Sequence, residues 1–245
     1  SNLVQYMRET AFVNAAAPVL EGGIKPESTL TFEQASDPVR KISHGRAVTE
    51  ELLEDAPAIS SYSYARLRMG VLQAEQNQLI NGDGTAPNIS GILDRVGLAP
   101  DMPRNGAATP PQTNADVILA QMMAIYASSY LMPDGVVLNP INWTPILMMK
   151  TTTGEYFAGG PFQPLQTPTL WGLPVAVTPA IAAGLGIVGA FKTGGQIFRK
   201  GGVQVEASNS HSDFFIKNLI AIRAEERLAL AIYRPGAFGT VSALA

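Results

Sequence analysis

The residues that organise the chain are 55–84, DAPAISSYSYARLRMGVLQAEQNQLINGDG, which predict one long helix that ends in an abrupt turn. Asp55 is a favourable N-cap, and Pro57 falls in the first turn, where a missing N–H costs nothing. Apolar residues recur at steps of three, four or seven and predict a single apolar stripe: Ala58, Tyr62, Ala65, Met69, Leu72 and Leu79. The turn at 81–84 ends the helix, because glycine takes the left-handed position that follows it.

Composition and charge narrow the class of protein. The chain has 245 residues, of which 46% are hydrophobic, enough to bury a core in one domain or two. Its 17 basic and 20 acidic residues give a net charge of −3, which argues against nucleic-acid binding through a dense basic surface. The absence of cysteine excludes a disulfide framework and a thiolate metal site. No apolar run approaches about 18 residues and no signal peptide opens the chain, so we expect a soluble protein of a reducing compartment.

Two β-rich segments before the helix predict a long hairpin. Residues 3–14 and 28–49 favour strand, and they flank a tip at 15–27 that is rich in small residues and breakers. An isolated two-stranded hairpin is marginal in water, because it cannot bury a face. We therefore expect this hairpin to lie on another surface, which is either its own domain or a different molecule.

After the helix, local signals predict an α/β segment. Residues 100–111 are rich in breakers and predict an exposed loop. Thr113-Asn114-Ala115-Asp116 resembles a capping box that opens one helix, and Asn139-Pro140 opens a second that runs to about Lys150. The predicted strands are 136–138, 170–177, 187–192, 196–200, 203–207 and 214–233, and 153–169 is predicted as loop.

Two short motifs match features of enzyme sites. The run Gly184-Leu185-Gly186-Ile187-Val188-Gly189 has dinucleotide-binding spacing, but that site needs a helix after the glycines, and 190–192 continue as predicted strand. His211-Ser212-Asp213 contains triad residue types, yet neighbours on one strand point apart. His44 is the only other histidine, which argues against a histidine-based zinc site. A soluble α/β enzyme that uses the glycine run is the alternative from another class.

The last predicted strand carries an alternating row of charges. Arg223, Glu225, Arg227 and Tyr233 share one face, whereas Ile220, Ile222, Leu228, Leu230 and Ile232 line the other. Such a row indicates either a salt-bridged sheet face or a contact between subunits.

Several motifs, in their order and spacing, resemble the major capsid proteins of tailed bacteriophages. They are KPES at 25–28, LINGDGT at 79–85, VLNP at 137–140, LWGLPV at 170–175, AEERLAL at 224–230 and YRP at 233–235. The resemblance is to the Hong Kong 97 type and covers nearly the whole chain. It implies an α+β fold with three parts: a long β-hairpin arm at 2–48, a peripheral domain with a spine helix and long strands at 49–82 and 195–228, and an axial α/β domain at 83–194 and 229–245.

The resemblance also implies a function. In that family the arm crosses onto a neighbouring subunit, and hexamers and pentamers tile an icosahedral shell around double-stranded DNA, with a portal and in some cases decoration proteins. It implies a virion protein that is assembled in the host bacterial cytoplasm and needs no cofactor, metal or membrane. An encapsulin-type nanocompartment shell shares the fold and is the nearest alternative. Family members extend ahead of Leu3, and this sequence starts at Ser1 without an initiator methionine, which we interpret as processing or trimming.

A cross-linking reaction is implied for three residues. In the Hong Kong 97 type, an arm-tip lysine condenses with an asparagine of another subunit, helped by a glutamate, and releases ammonia. The matching positions are Lys25, Asn218 and Glu225. Strict alternation places Asn218 and Glu225 on opposite faces, so their meeting requires a bulge or bend. In the Hong Kong 97 type an apolar residue helps to wall the lysine pocket, and the matching position in this sequence is Gly201. The alternative is that Lys25 forms a salt bridge at the arm tip, while Asn218 and Glu225 satisfy polar groups of the sheet edge.

Overall fold

The computed structural model describes residues 2–55, 57–158, 160, 167–211 and 213–245. These residues form two compact units. Unit 1 contains Ser1–Val4, Asp37–Asp94 and Ile197–Leu230, and unit 2 contains Gln5–Ser36, Arg95–Gln196 and Ala231–Ala245. The three-part domain division implied by the resemblance stays a prediction.

The strands and helices follow one another along the chain with these bounds. The strands are β1 (Leu3–Val13), β2 (Thr29–Pro38), β3 (Arg40–Thr49), β4 (Ala99–Pro103), β5 (Gly135–Leu138), β6 (Thr169–Leu170), β7 (Leu173–Val177), β8 (Gly186–Gly189), β9 (Gly195–Arg199), β10 (Gln204–Ser208), β11 (Leu219–Ile232) and β12 (Phe238–Ser242). The helices are α1 (Glu50–Asp55), α2 (Pro57–Asn81), α3 (Asn114–Ser129), α4 (Pro140–Leu147) and α5 (Phe191–Gly194), with a 3-10 turn at Pro235–Ala237.

The predicted hairpin is confirmed, because β1 and β2 pair as a two-stranded sheet. The segment predicted as one strand over 28–49 is instead two strands that separate at Val39. Pro38 lacks the N–H that would continue the ladder, and β3 pairs with β11 in a different sheet. We call residues 2–38 the arm, with its root at β1 and its tip at 14–28.

In unit 1, α2 packs on a sheet in which β11 is central. β11 lies between β10 and β3 and also pairs with β9. Its antiparallel register with β3 runs without a shift from Leu219 opposite Thr49 to Leu228 opposite Arg40. The small core between the helix and the sheet consists of Val48, Leu67, Val71, Ile222 and Ala224.

The structure corrects the predicted start of the long helix. Helical structure begins at Glu50, and Asp55 is the last residue of α1, so it does not act as an N-cap. The Thr49 hydroxyl accepts a hydrogen bond from the Leu52 N–H at 3.4 Å and takes the capping role instead. Glu50 and Glu51 lie in the first turn, where the helix dipole favours negative charge.

The predicted apolar stripe of α2 is not the face that packs. Four buried positions, Ser63, Leu67, Val71 and Glu75, are spaced four apart, and Ile80 is buried near the end of the helix. Tyr62, Met69 and Leu72 are exposed. Two of the four packed positions are polar, so hydrophobic periodicity points to the wrong side of the helix.

The turn after α2 forms as predicted, although a different glycine takes the left-handed backbone. Gly84 has φ +68°, whereas Gly82 is needed because a Cβ there would lie 2.1 Å from the Ile89 carbonyl oxygen. The close approach of two backbone segments therefore selects glycine at 82, and backbone conformation selects it at 84.

Unit 2 is built on a six-stranded mixed sheet in the order β4-β12-β8-β5-β7-β6. The predicted capping box is confirmed: the Thr113 side chain accepts from the Asp116 N–H, and the Asp116 side chain accepts from the Thr113 N–H. The prediction that Asn139 caps the next helix with Pro140 at its first position is also confirmed. One face of α3 packs on the sheet through Val117, Ile118, Met122 and Ile125.

Several strand predictions need correction. The loop predicted at 100–111 begins with strand β4, and the segment at 170–177 turns at Trp171-Gly172. The strand predicted to run to Lys192 ends at Gly189, and Phe191 and Lys192 belong to the short helix α5. Residues 214–218 form turns, and β12 was not predicted. Part of the loop predicted at 153–169 lies outside the described residues.

Candidate functional site

The root of the arm is anchored within unit 2. The Tyr6 hydroxyl accepts from the Ile232 N–H at 3.3 Å, and its ring meets Tyr233 edge to face at 5.4 Å. The Glu9 N–H donates to the Tyr233 carbonyl at 3.1 Å, and Arg234 Nε donates to the Glu9 carboxylate at 2.7 Å. Backbone, aromatic and charged contacts therefore hold this end of β1.

The tip of the arm is held only by local contacts among the described residues. The Ala15 N–H donates to Ser28 Oγ at 3.0 Å, and the Gly23 N–H donates to the Leu20 carbonyl at 2.9 Å. Leu20 and Ile24 are 89% and 96% exposed. Large apolar side chains at this exposure indicate a surface that another molecule covers.

Lys25 lies in this exposed tip. It forms no ion pair with any residue that the structure describes, so the salt bridge considered as its alternative role is not formed within the described chain. The tip also carries Glu21 and Glu27, but Lys25 pairs with neither of them, so its side chain is free to reach a second molecule.

Asn218 ends the turn that leads into β11. Its backbone is left-handed, with φ +49°, which a short polar side chain tolerates. Its carbonyl accepts from the Glu50 N–H at 2.8 Å, and its side-chain amide lies 3.4 Å from Glu51 Oε1. Phe215 and Ile216, in the same turn, are strongly exposed.

Glu225 lies in the middle of β11, on the face opposite the helix. Its carboxylate is 3.3 Å from Lys41 Nζ and 3.3 Å from Arg223 Nε. Arg223 also pairs with Glu206 at 2.7 Å. The row is thus salt-bridged, as one interpretation of the sequence predicted, although Arg227 donates to Asn2 instead.

One copy of the chain does not bring Asn218 and Glu225 together. An extended strand advances about 3.3 Å per residue, so the six steps from Leu219 to Glu225 span roughly 20 Å. The regular register of β11 with β3 contains no bulge over this stretch. The bulge or bend that the sequence required within one chain is therefore absent between Leu219 and Leu228.

A second charged cluster was missed by sequence analysis. Arg199 on β9 pairs with Glu226 on β11, with Nε to Oε1 at 3.1 Å, and also with Glu75 on α2. The side chains of Glu226 and Glu75 are only 2% and 5% exposed. Burial, followed by the negative charge of Glu75, raises the pKa of the Glu226 carboxyl above its ordinary value.

The position of Glu226 was available from strand alternation. It shares parity with Ile222 and Leu228, which the sequence placed on the inner face. Its Oε2 has no hydrogen-bond partner among the described residues. Two buried carboxylates that share one guanidinium form part of the fold rather than an open catalytic site.

The enzyme-like motifs have structural roles. The Gly184 N–H donates to Asn142 Oδ1 at 2.8 Å, and a Cβ at Gly189 would lie 2.4 Å from the Phe238 ring. His44 lies 2.7 Å from the Leu67 carbonyl oxygen. In the motif 211–213, Asp213 pairs with Lys217, and Ser212 lies outside the described residues.

Among the described residues, no group of three or more His, Asp or Glu side chains has an arrangement suited to a metal ion. None of the described helices has the length and apolar character that a membrane span requires.

Sequence comparison decides the family. The model of the Phage capsid family matches residues 1–242. The major capsid protein of Enterobacteria phage HK97 is 40% identical to this chain over 244 residues, which is 99% of this chain and 62% of that protein. The chain belongs to the phage capsid family. This is a family of structural proteins, and the chain spans 62% of the length of its HK97 relative.

Solved structures support the fold at low sequence identity. The capsid of a native GTA particle matches with a TM-score of 0.74 and 16% identity, covering 100% of this chain and 86% of that chain. A structure from Mycobacterium phage Ogopogo matches at 0.69 and 19%, covering 98% and 86%. A chain from the structure of the major capsid and decoration proteins of phage G matches at 0.70 and 10%, covering 100% of this chain and 85% of that chain. The predicted α+β capsid fold of the Hong Kong 97 type is confirmed.

Proposed function

We propose that this chain is the major capsid subunit of a tailed phage and assembles with its own copies, as hexamers and pentamers, into an icosahedral shell around double-stranded DNA. The observation that carries the proposal is the arm, which is anchored at its root and exposes Leu20 and Ile24 at its tip. A second copy is the surface that covers these side chains. Closed symmetric assembly then turns many modest contacts into a stable container.

The other proposed partners follow from this role. We propose a portal and decoration proteins as further partners, and the solved phage G structure contains decoration proteins together with major capsid proteins. The net charge of −3 suits a shell that encloses DNA without sequence-specific binding. We propose the virion as the location of the protein and the host bacterial cytoplasm as the place of its assembly.

Assembly is tested with variants of the arm tip. We expect the purified chain to form closed particles by electron microscopy, and the double variant Leu20→Ser, Ile24→Ser to stay in small species by light scattering. Val96→Ser is the matched control, because Val96 is 84% exposed but lies outside the arm. Fluorescence of Trp143, which is buried in the unit 2 core, should be the same in all variants. Normal particles from the double variant would contradict the proposed role of the arm.

The contents of the particle separate this proposal from the encapsulin-type alternative. Particles purified from a natural source should contain double-stranded DNA. A protein cargo in place of DNA would favour the nanocompartment function and would leave the assembly proposal intact.

We further propose that Lys25 and Asn218 form an isopeptide bond between copies. The neutral Lys25 amine attacks Asn218 Cγ, a C–N bond forms, and the Asn218 amide leaves as ammonia. Glu225 takes a proton from the attacking amine and returns it to the leaving group. The charged form of lysine is not nucleophilic, so contact with a second copy must desolvate the Lys25 amine, because burial favours the neutral form.

The geometry of β11 adds a condition to this proposal. Since Asn218 and Glu225 of one copy are separated by roughly 20 Å, the reaction takes them from different copies. The exposed Phe215 and Ile216 next to Asn218 support a contact surface at this end of the strand. The pairing of Glu225 with Lys41 and Arg223 supports a carboxylate that is held in place on the outer face.

Denaturing electrophoresis of mature particles tests the cross-link. A ladder of covalent oligomers is expected, and Lys25→Arg should abolish it, because arginine keeps the charge but lacks the nucleophilic amine. Lys200→Arg is the matched control and should leave the ladder unchanged. Glu225→Gln should slow cross-linking by about 10²-fold or more. A single monomer band from mature wild-type particles would refute the reaction.

Co-assembly of two impaired variants tests the contribution of different copies. Asn218→Asp subunits should form no cross-link alone and Glu225→Gln subunits should cross-link slowly, but particles that contain both should cross-link faster than either variant alone. Failure of the mixture, with assembly unimpaired, would contradict the assignment of the two residues to separate copies.

A further inference from the structure

The same dipeptide, Asn-Gly, occurs twice in the sequence, at 81–82 and at 105–106. In such a pair the backbone nitrogen of the glycine is able to attack the asparagine side chain, because glycine has no Cβ to hinder the approach. The surroundings of the two pairs differ, which makes their relative reactivity a property of the fold.

Asn105 lies in the exposed loop that follows β4, and the base of this loop is held closed. The Asn105 N–H donates to Gln112 Oε1 at 2.9 Å, and the Gln112 N–H donates to the Asn105 carbonyl at 3.2 Å. The Asn105 side chain accepts at Oδ1 from the Ala107 N–H at 3.1 Å. This turn folds the side chain over Gly106 and polarises its carbonyl.

The nitrogen of Gly106 is available for reaction. It donates to no acceptor among the described residues. A Cβ placed on Gly106 would lie 3.5 Å from both terminal nitrogens of Arg104, so the guanidinium is next to the reacting backbone. Arg104 is held there by the Ala243 carbonyl at 3.1 Å and the Gln112 carbonyl at 3.2 Å.

We propose that Asn105 is a self-modification site at which the chain forms a succinimide and then aspartate or isoaspartate. Solvent hydroxide removes the Gly106 N–H proton, and the nitrogen attacks Asn105 Cγ. The bond from Cγ to Nδ2 breaks, and Nδ2 takes a proton from water and leaves as ammonia. Water then opens the ring at either carbonyl. Arg104 stabilises the negative charge that develops during the attack.

The Asn81-Gly82 pair is the internal control. The Gly82 N–H donates to the Gln78 carbonyl at 3.0 Å, and the Asn81 amide donates to Asn77 Oδ1 at 2.7 Å. Gly82 is also packed against the Ile89 carbonyl. The Gly82 N–H and the Asn81 amide, which would react, are therefore both hydrogen-bonded at the end of α2. Reacting atoms that are misplaced by about 1 Å lower the rate by about 10²-fold.

The test is peptide mapping by mass spectrometry of the intact chain after incubation at mildly alkaline pH, with detection of isoaspartate. In the folded chain, product at Asn105 should exceed product at Asn81 by about tenfold or more. In denaturant the two sites should react at similar rates, because the chain no longer protects Asn81. Equal product at the two sites in the folded chain would overturn the proposal.

Two variants examine the chemistry. Gly106→Ala should lower product at Asn105 by about tenfold and leave Asn81 unchanged, since the added methyl group has ordinary contacts at 3.5 Å and does not disturb the loop. Arg104→Gln should slow the reaction more than Arg104→Lys, which keeps the charge. Unchanged product in Gly106→Ala, or equal slowing by both Arg104 variants, would count against the attack by nitrogen or the role of the charge, respectively.

Discussion

Glu225 and Glu226 are neighbours in sequence, yet they lie on opposite faces of β11 and in different electrostatic surroundings. Glu225 has a side chain that is 19% exposed and pairs with Lys41 and Arg223, so cations outnumber it. Glu226 is buried and shares Arg199 with Glu75, so carboxylates outnumber the cation. The alternation of a strand thus separates two identical residues into one that belongs to the surface row and one that belongs to the fold.

Because their surroundings differ, removing a charge on the two faces of β11 should have different consequences. A buried pair that loses one partner leaves an uncompensated charge, whereas exposed pairs contribute little to stability. We therefore expect substitutions on the inner face to affect the unfolding of the isolated chain, and substitutions on the outer face to affect what happens between copies.

The largest expected effect is that of Arg199→Leu. It leaves Glu75 and Glu226 buried without a cation, and we expect the free energy of unfolding at neutral pH to fall by about 3 kcal/mol. Urea denaturation of the isolated chain measures the loss. The matched variant Arg223→Leu removes an arginine from the outer face and should cost less than about 1 kcal/mol. Similar losses in the two variants would contradict the conclusion that the inner charges stabilise the fold more than the outer ones.

The second effect is the pH dependence conferred by Glu226. A carboxyl whose pKa is raised by folding stabilises the native state most below its unfolded value of 4.5, and that contribution is lost as pH rises through the folded pKa. The free energy of unfolding of the wild type should therefore decline as the pH rises from 4.5 through the folded pKa of Glu226, by at most about 1.4 kcal/mol per pH unit. Glu226→Gln should remove this decline and be more stable than wild type at neutral pH. A variant with an unchanged pH profile would mean that Glu226 does not hold the proton.

A smaller effect is expected for Glu225→Gln. The substitution removes a charge from the surface row, and the free energy of unfolding should change by less than about 0.5 kcal/mol. In particles, the same substitution should slow cross-linking as proposed above. A large loss of stability in the isolated chain would show that this residue, too, belongs to the fold.

The smallest effect concerns salt. At 1 M ionic strength the screening length falls from about 10 Å to about 3 Å, which weakens the exposed row but not the buried cluster. The difference in stability between wild type and Glu225→Gln should therefore shrink with salt. The difference between wild type and Arg199→Leu should persist, and its disappearance would contradict the burial of that cluster.

The parts of the fold that depend on local chemistry were predictable. The capping box at Thr113, the Asn139-Pro140 helix start and the arm hairpin were predicted and are present, because each needs only residues close in sequence. Asn218 was predicted on a strand but lies in a turn with a left-handed backbone. The prediction was wrong because the neighbouring residues carry no glycine or proline that would indicate a turn. β12 escaped prediction because Gly239 weakens a short strand that pairing with β4 and β8 stabilises.

Within the candidate site, motif resemblance selected Lys25, Asn218 and Glu225, and their joint reaction stays a prediction. The resemblance did not indicate that Glu226 is buried, or that one chain keeps Asn218 and Glu225 roughly 20 Å apart. Both facts follow from the unbroken register of β11 with β3, which depends on pairing between distant segments.

The sequence by itself determined the family of the protein, its hairpin arm and the capped helices of unit 2, because turn, cap and alternation signals act over a few residues. Only the tertiary structure decided which face of α2 is packed and that the buried Glu226 shares Arg199 with Glu75. The physical reason is that Glu75 and Glu226 are polar residues whose burial depends on a partner from another strand, Arg199. Hydrophobic periodicity does not register such partners, since it counts apolar residues along one segment.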